Sequence, residues 1–311
     1  MKQRLLYIDY LRSVYIILMI IFHLAYIGDK YPTIKLIVYT FHMPAFLIIS
    51  GYLSNMHKQA GAFFKNIGWI FVPYAVMECG YITMSAILPV REQVASLSLE
   101  LFADKLFLHP LGPYWYLHTW MLCNLCCYAV SRLFPKVGHL SFLTLSGIVL
   151  WLLSCAGVLS MGNAVYFLLG AAIHRYEISF THFFQATLLA WIPFCLLCLY
   201  PENLNRFTLG GMTITYFSFC GLLAVYPHLG SYVRQGACFM GRNTLPILLF
   251  SPIFTMLAKP LIPLLAFDST GLLFTLIATT GAVLGSFSIA WCMDKWKISP
   301  YFSGKNLLDR V

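Results

Sequence analysis

The stretch that decides the fold is Asp9-Tyr10-Leu11-Arg12-Ser13-Val14-Tyr15-Ile16-Ile17-Leu18-Met19-Ile20-Ile21-Phe22-His23, an apolar run bracketed by a cation and an imidazole. Arg12 and His23 are eleven residues apart, roughly three helical turns plus 20°, so a helix puts both on one face about 16 Å apart along its axis. That is about half of a hydrocarbon core ~30 Å thick. A second apolar run carries Phe41-His42-Met43-Pro44-Ala45-Phe46 and closes on Ser50-Gly51-Tyr52. Ionisable groups inside such segments are costly, which makes them functional candidates by default.

The surrounding composition explains the run. Of 311 residues, 60% are apolar and only 10% charged, against about 25% charged in soluble domains. The fold class expected is all-α: a polytopic integral membrane helical bundle with about ten transmembrane helices, forming a single domain over residues 1–311. The spans fall near residues 10–28, 33–54, 66–88, 113–134, 140–158, 163–174, 183–200, 208–227, 243–266 and 271–293. The sixth is short for a full crossing. Lys2 and Arg4 before an apolar run resemble a secretory leader, but Arg12 and His23 interrupt it, so it reads as a retained span. The longest connection, about residues 89–112, holds Arg91, Glu92, Glu100, Asp104 and Lys105 and is too short for a soluble domain.

The formal charge of +9 is scattered between spans rather than gathered in an arm. This argues against nucleic acid as a partner and for topology as its cause. With the N-terminus inside, fourteen lysines and arginines, among them Lys58, Lys65, Arg132 and Arg310, face the cytoplasm. Six face the other side: Lys30, Lys35, Arg91, Lys105, Arg206 and Lys259. Both termini are therefore expected in the cytoplasm. The ten cysteines, including the Cys195-x-x-Cys198 pair, lie in apolar runs and read as small buried hydrophobes. No converging metal-ligand set is evident, and no metal is expected. Pro44 should free the carbonyl of Thr40, just before His42.

Acyl transfer to a hydroxyl needs a general base, and histidine, with an unperturbed pKa of about 6.5, suits that task. His23 and His42 enter from the same membrane side at comparable depth, which lets two helices bring them together. Asp9 and Arg12 can pair at i, i+3. Arg12 reads either as an anchor to headgroups or as a cationic site for an anionic donor such as coenzyme A. Pro113-Tyr114-Trp115-Tyr116 opens the fourth span, with Trp115 either an interfacial aromatic or a platform for a sugar ring.

Arginine, ten residues and histidine, followed by Phe-His-Met-Pro-x-Phe and Ser-Gly-Tyr, resembles the acyltransferase 3 family, nearest to its fucose 4-O-acetylase-like members. Val72-Pro73-Tyr74, Trp115-Tyr116-Leu117, Phe167-Leu168-Leu169-Gly170 and Gly241-Arg242-Asn243-Thr244-Leu245 agree with further motifs. The resemblance implies a membrane O-acyltransferase in a bacterial inner membrane. It would move an acyl group, usually acetyl, from acetyl-CoA to a hydroxyl of a cell-surface or lipid-linked saccharide. On that reading His23 and His42 are catalytic, and Arg12 and Lys65 bind the acyl-CoA. Asp9, Tyr26, Ser50, Trp115, Tyr116 and Asn243 contact substrates. Two positions depart from the pattern: Trp69 replaces an arginine before the Pro-Tyr, and Ser251 replaces a late-span histidine. A transporter or flippase for a lipid-linked sugar, or an inactive family member, are the alternatives.

Overall fold

The computed structural model describes residues 5–87, 94 and 96–309. Lys2, Arg4, Arg91 and Arg310, counted above for topology, and Glu92 of the longest connection lie outside the described residues. Among the described residues the secondary structure is helical throughout, with no strand. The α-helices in chain order are α1 (Leu6–His23), α2 (Ala25–Lys30), α3 (Pro32–Leu53), α4 (Ala60–Ile87), α5 (Leu99–Phe107) and α6 (Trp115–Leu133). There follow α7 (His139–Cys155), α8 (Met161–Arg175), α9 (Phe180–Phe183), α10 (Trp191–Cys198) and α11 (Leu209–Val225). The last are α12 (Ser231–Arg242), α13 (Thr244–Leu257), α14 (Leu261–Leu264), α15 (Leu272–Lys295) and α16 (Ser299–Ser303).

Five of the described helices are long and apolar enough to cross a membrane: α1, α3, α4, Leu209–His228 and α15. A sixth crossing is available if α12 and α13, bent by 83°, act as one broken span. The fold is thus an all-α membrane bundle, while the expected count of about ten rests on the sequence alone. Where it was read as one apolar span over 183–200, the chain forms α9, a 3-10 turn at Leu188–Ala190 and α10. Several apolar helices face outward: only 28% of the most apolar window of α15 is buried, and α7 exposes Leu140, Ile148, Trp151 and Leu152. Contiguous apolar exposure of this kind suits lipid rather than water.

The helices group into two compact units. The first comprises Met1–Phe46, Ser179–Ile298 and Asn306–Val311. Here α1 packs against α12, α13 against α15, and α10 against α11. Lipid tails are as apolar as leucine, so such helices associate through close packing and hydrogen bonds rather than burial. Gly241 of α12 serves the first purpose. A Cβ there would overlap the Asp9 carbonyl, so only glycine lets α12 approach α1 this closely. Tyr15 serves the second. Fully buried, it meets Phe41, Phe46 and Phe219 edge to face, and its hydroxyl lies 3.2 Å from Ser218 Oγ.

Two irregularities shape this unit. First, α1 starts four residues before the expected span and ends at His23, because Leu24 turns extended at φ −68°, ψ 103°. A helix end leaves its last carbonyls open. One of them, Phe22 O, accepts the Tyr39 hydroxyl at 3.0 Å. Second, Pro44 interrupts the hydrogen bonds of α3. The freed Thr40 carbonyl is met by the Thr215 hydroxyl of α11 at 3.5 Å, as membrane helices require of a neighbour.

The second unit comprises Leu47–Ile178 and Ser299–Lys305. Gly51 and Gly170 face one another's helices: a Cβ on Gly51 would overlap the Phe167 carbonyl, and one on Gly170 the Ile48 carbonyl. This is the small-residue contact that lets membrane helices pack backbone to backbone. Glu78 of α4 is fully buried, and its Oε1 accepts the Leu111 N–H at 2.6 Å.

Candidate functional site

The first unit holds Asp9, Arg12, His23, Tyr26, His42 and Asn243; the second holds Ser50, Lys65, Trp115 and Tyr116. Each set is built by its own contacts.

In the first unit the two histidines share one tyrosine. The Tyr39 ring lies 6.0 Å from the His23 ring and 5.2 Å from the His42 ring, centroid to centroid. Tyr39 is placed there because its hydroxyl caps the open end of α1, while its backbone sits one turn before His42 on α3. Both imidazoles are oriented alike. His23 Nδ1 lies 2.7 Å from Met19 O, and His42 Nδ1 lies 2.7 Å from Val38 O. A carbonyl oxygen can only accept, so in each ring Nδ1 carries the hydrogen, and in the neutral ring Nε2 carries the lone pair. Their surroundings differ. His23 is exposed at the helix end, whereas His42 is 2% exposed and its Nε2 is buried without a hydrogen-bond partner. One accessible and one enclosed nitrogen base thus neighbour the same aromatic ring.

At the other end of α1, Asp9 is buried and its carboxylate lies 4.0 Å from the Arg12 guanidinium. Arg12 Nη2 donates to Thr244 Oγ1 at the start of α13. Asn243 occupies the elbow between α12 and α13. Its Nδ2 donates to Phe239 O at 2.9 Å, and its Oδ1 accepts the Asp309 N–H at 2.7 Å. The same C-terminal segment is held by Asp294, whose carboxylate accepts the N–H groups of Leu307 and Leu308 at 2.8 and 3.1 Å. Asn243 therefore ties the elbow to the chain end. Tyr26, on α2, packs edge to face on Phe274 with Lys30 Nζ 5.4 Å from its ring centroid. Ser251, where the resemblance leads to the expectation of a histidine, is buried on α13.

In the second unit Ser50 Oγ and Tyr116 Oη are 2.6 Å apart, so the structure brings these two together. Trp115 begins α6 directly after a 3-10 turn at Gly112–Tyr114. Glu78 holds the residue that enters that turn, Leu111. Lys65 is exposed on α4, and the Trp69 ring lies against Gly304, where φ is +74° and a Cβ would collide with the indole.

Two residues of evident importance escaped the reading of the sequence. Tyr39 looked like one more aromatic in an apolar run; its only signal is its i, i+3 spacing to His42. Glu78 was detectable as a lone carboxylate in an apolar span, which is a warning of function or of buried hydrogen bonding.

No curated protein and no solved structure matches the chain. A family model described as an acyltransferase domain matches residues 5–291. The match takes in the residues from Asp9 to Asn243 that were expected at the site. The chain therefore belongs to the acyltransferase 3 family and is an integral membrane acyltransferase.

Proposed function

We propose that the protein is an O-acyltransferase that moves an acetyl group from acetyl-CoA to a hydroxyl of a cell-surface or lipid-linked saccharide. Its setting would be a bacterial inner membrane, with both termini cytoplasmic and residues 1–311 acting as one catalytic domain. The observation that carries the reading is the His23–Tyr39–His42 arrangement, in which both Nδ1–H groups face carbonyls, so that each neutral imidazole carries its basic lone pair on Nε2.

His23 is the general base because it is the accessible one of the pair. Its Nε2 takes the proton of the acceptor hydroxyl as that oxygen bonds to the thioester carbonyl carbon. The carbon–sulfur bond then breaks, and the proton passes from the imidazolium to the departing thiolate of coenzyme A. His42, buried beside Tyr39, holds that ring and the local electrostatics in place. Arg12, oriented by Asp9 and Thr244, meets phosphate oxygens of the donor, for which a planar guanidinium is suited. Lys65 adds a second cation for the donor, and Tyr26, Ser50, Trp115, Tyr116 and Asn243 serve the substrates or the elements that hold them.

The test is His23→Ala in cells, read by mass spectrometry of the surface glycan. Loss of an O-acetyl mass with glycan export intact supports the reading. Lost export with the acetyl pattern unchanged on the residual glycan overturns it in favour of a transporter. His23 could instead carry the acetyl group transiently, and incubation of the purified protein with labelled acetyl-CoA alone separates that route from direct transfer: label retained on histidine shows a covalent intermediate.

A further inference from the structure

Beside the histidine pair, at the end of α1 opposite Arg12, stands a lysine that the reaction as described does not use. Lys35 lies one turn before Tyr39 on α3, and its Nζ is 5.9 Å from the Tyr39 ring centroid. With Tyr39 5.2 Å from His42, the ammonium is within about 11 Å of that imidazole. The side chain is only 21% exposed, although a lysine so near a helix end would ordinarily snorkel into water. It is folded inward along Gly28. A Cβ on that glycine would stand 2.9–3.1 Å from the last carbons and nitrogen of Lys35. Its recorded acidic partner is Asp29 at 3.7 Å, and the Asp29 side chain is 79% exposed. The cation is enclosed and its anion is in solvent, and an ion pair with one exposed member is readily exchanged.

A second cation stands at the same end of the unit. The Arg206 backbone lies against Gly211 at the start of α11, and one turn on, Thr215 reaches the Thr40 carbonyl, two residues before His42. The Arg206 guanidinium lies 4.9 Å from the Phe207 ring centroid, at the end of α11 that packs toward Thr40. Two cations at the histidine end of the unit describe a place where negative charge is welcome.

The geometry points to Lys35 as the recognition group for an anionic substituent, a carboxylate or a phosphate, on the saccharide that accepts the acyl group. The incoming anion takes the place of the Asp29 carboxylate on the Lys35 ammonium, and the acceptor hydroxyl is thereby presented to the histidines. This inference rests on the acyltransferase reading above and adds to it the charge class of the acceptor.

The experiment measures binding and acetyl transfer with the full-length protein in phosphatidylcholine nanodiscs. The probes are methyl glucoside, methyl glucuronide and methyl glucoside phosphate, each with acetyl-CoA. The wild type is expected to bind an anionic probe at least about tenfold more tightly than the neutral one. Which anionic probe wins separates carboxylate from phosphate. Lys35→Met is expected to remove that preference through KM with kcat for the neutral probe unchanged, and Lys35→Arg to restore it. Gly28→Ala, which crowds the ammonium without altering charge, is expected to weaken it as well. Equal binding of charged and neutral probes by the wild type overturns the inference while leaving the acyltransferase reading intact. So does a Lys35→Met effect that falls equally on all three probes. A Lys35-dependent preference in binding, with no acetyl transfer to any probe, keeps the anion site and counts against the acyltransferase reading. Stabilisation by phosphatidylglycerol nanodiscs that depends on Lys35, with no preference among the saccharides, overturns the inference in favour of a lipid headgroup.

Discussion

Gly241→Ala tests whether the contact between α1 and α12 holds Arg12, the residue proposed to meet the acyl donor. The added methyl would overlap the carbonyl oxygen and carbon of Asp9, which are backbone atoms that no rotamer change can move. The helices must separate by on the order of 1 Å, and overpacking of this kind costs about 1–3 kcal/mol. The displacement is felt one turn along α1, where Arg12 donates to Thr244, the residue after the elbow at Asn243. Losing a hydrogen bond from a charged donor costs about 1.5–3 kcal/mol, a weakening of acyl-CoA binding by roughly 10- to 150-fold. The assay is acyl-CoA KM together with thermal unfolding in nanodiscs, with Gly236→Ala as control, because a Cβ at Gly236 meets nothing within 4 Å. The reasoning is refuted if Gly241→Ala unfolds at the wild-type temperature. If stability falls while acyl-CoA KM is unchanged, the packing argument survives and the donor role of Arg12 fails.

Two other outcomes follow from named contacts. Tyr39→Phe keeps the ring that both histidines neighbour and removes the bond to the Phe22 carbonyl, a loss of about 0.5–1.5 kcal/mol. It should lower kcat up to about tenfold with little change in acceptor KM, while Tyr39→Ala should abolish turnover, both read from steady-state acetyl transfer. The second outcome concerns pH. Asp268 begins the turn before α15, and its carboxyl is held down to about 2 by the Thr270 hydroxyl first, then by backbone N–H groups of Leu273, Thr270 and Gly271. A folded value below the unfolded one gives stability that is complete above about pH 4 and is lost as pH falls toward 2. Hydrogen exchange at Leu273 should therefore accelerate across that window in the wild type, and Asp268→Asn should exchange fast at every pH. Flat exchange in the wild type between pH 4 and 2 would contradict this.

Much of the architecture was legible because hydrophobic length is a local property. The apolar runs around Arg12, His42 and Pro73 became α1, α3 and α4, and the carbonyl freed by Pro44 was foreseeable from one residue type. Span boundaries were less legible. The apolar run through residue 28 gave no sign that Leu24 would turn extended and leave His23 as a helix terminus. Nor did the run over 243–266 show that α13 would leave α12 at 83°. Hydropathy is the same on either side of such a break, so composition cannot place it.

By themselves the residues determined the class of the molecule, the family motif, and the placement of Arg12 and His23 at the two ends of one helix. Those properties depend on spacing along the chain and on the 3.6-residue turn. The tertiary structure decided which ring the histidines share, how their ring nitrogens are assigned, and which groups hold the arginine. Tyr39 reaches Phe22 across the turn between two helices, Thr244 reaches Arg12 from 232 residues away, and Asp309 closes on Asn243. Hydrogen bonds of that kind depend on where helices lie in space. No periodicity along the sequence carries that information, and so the site's chemistry emerged only with the packed helices.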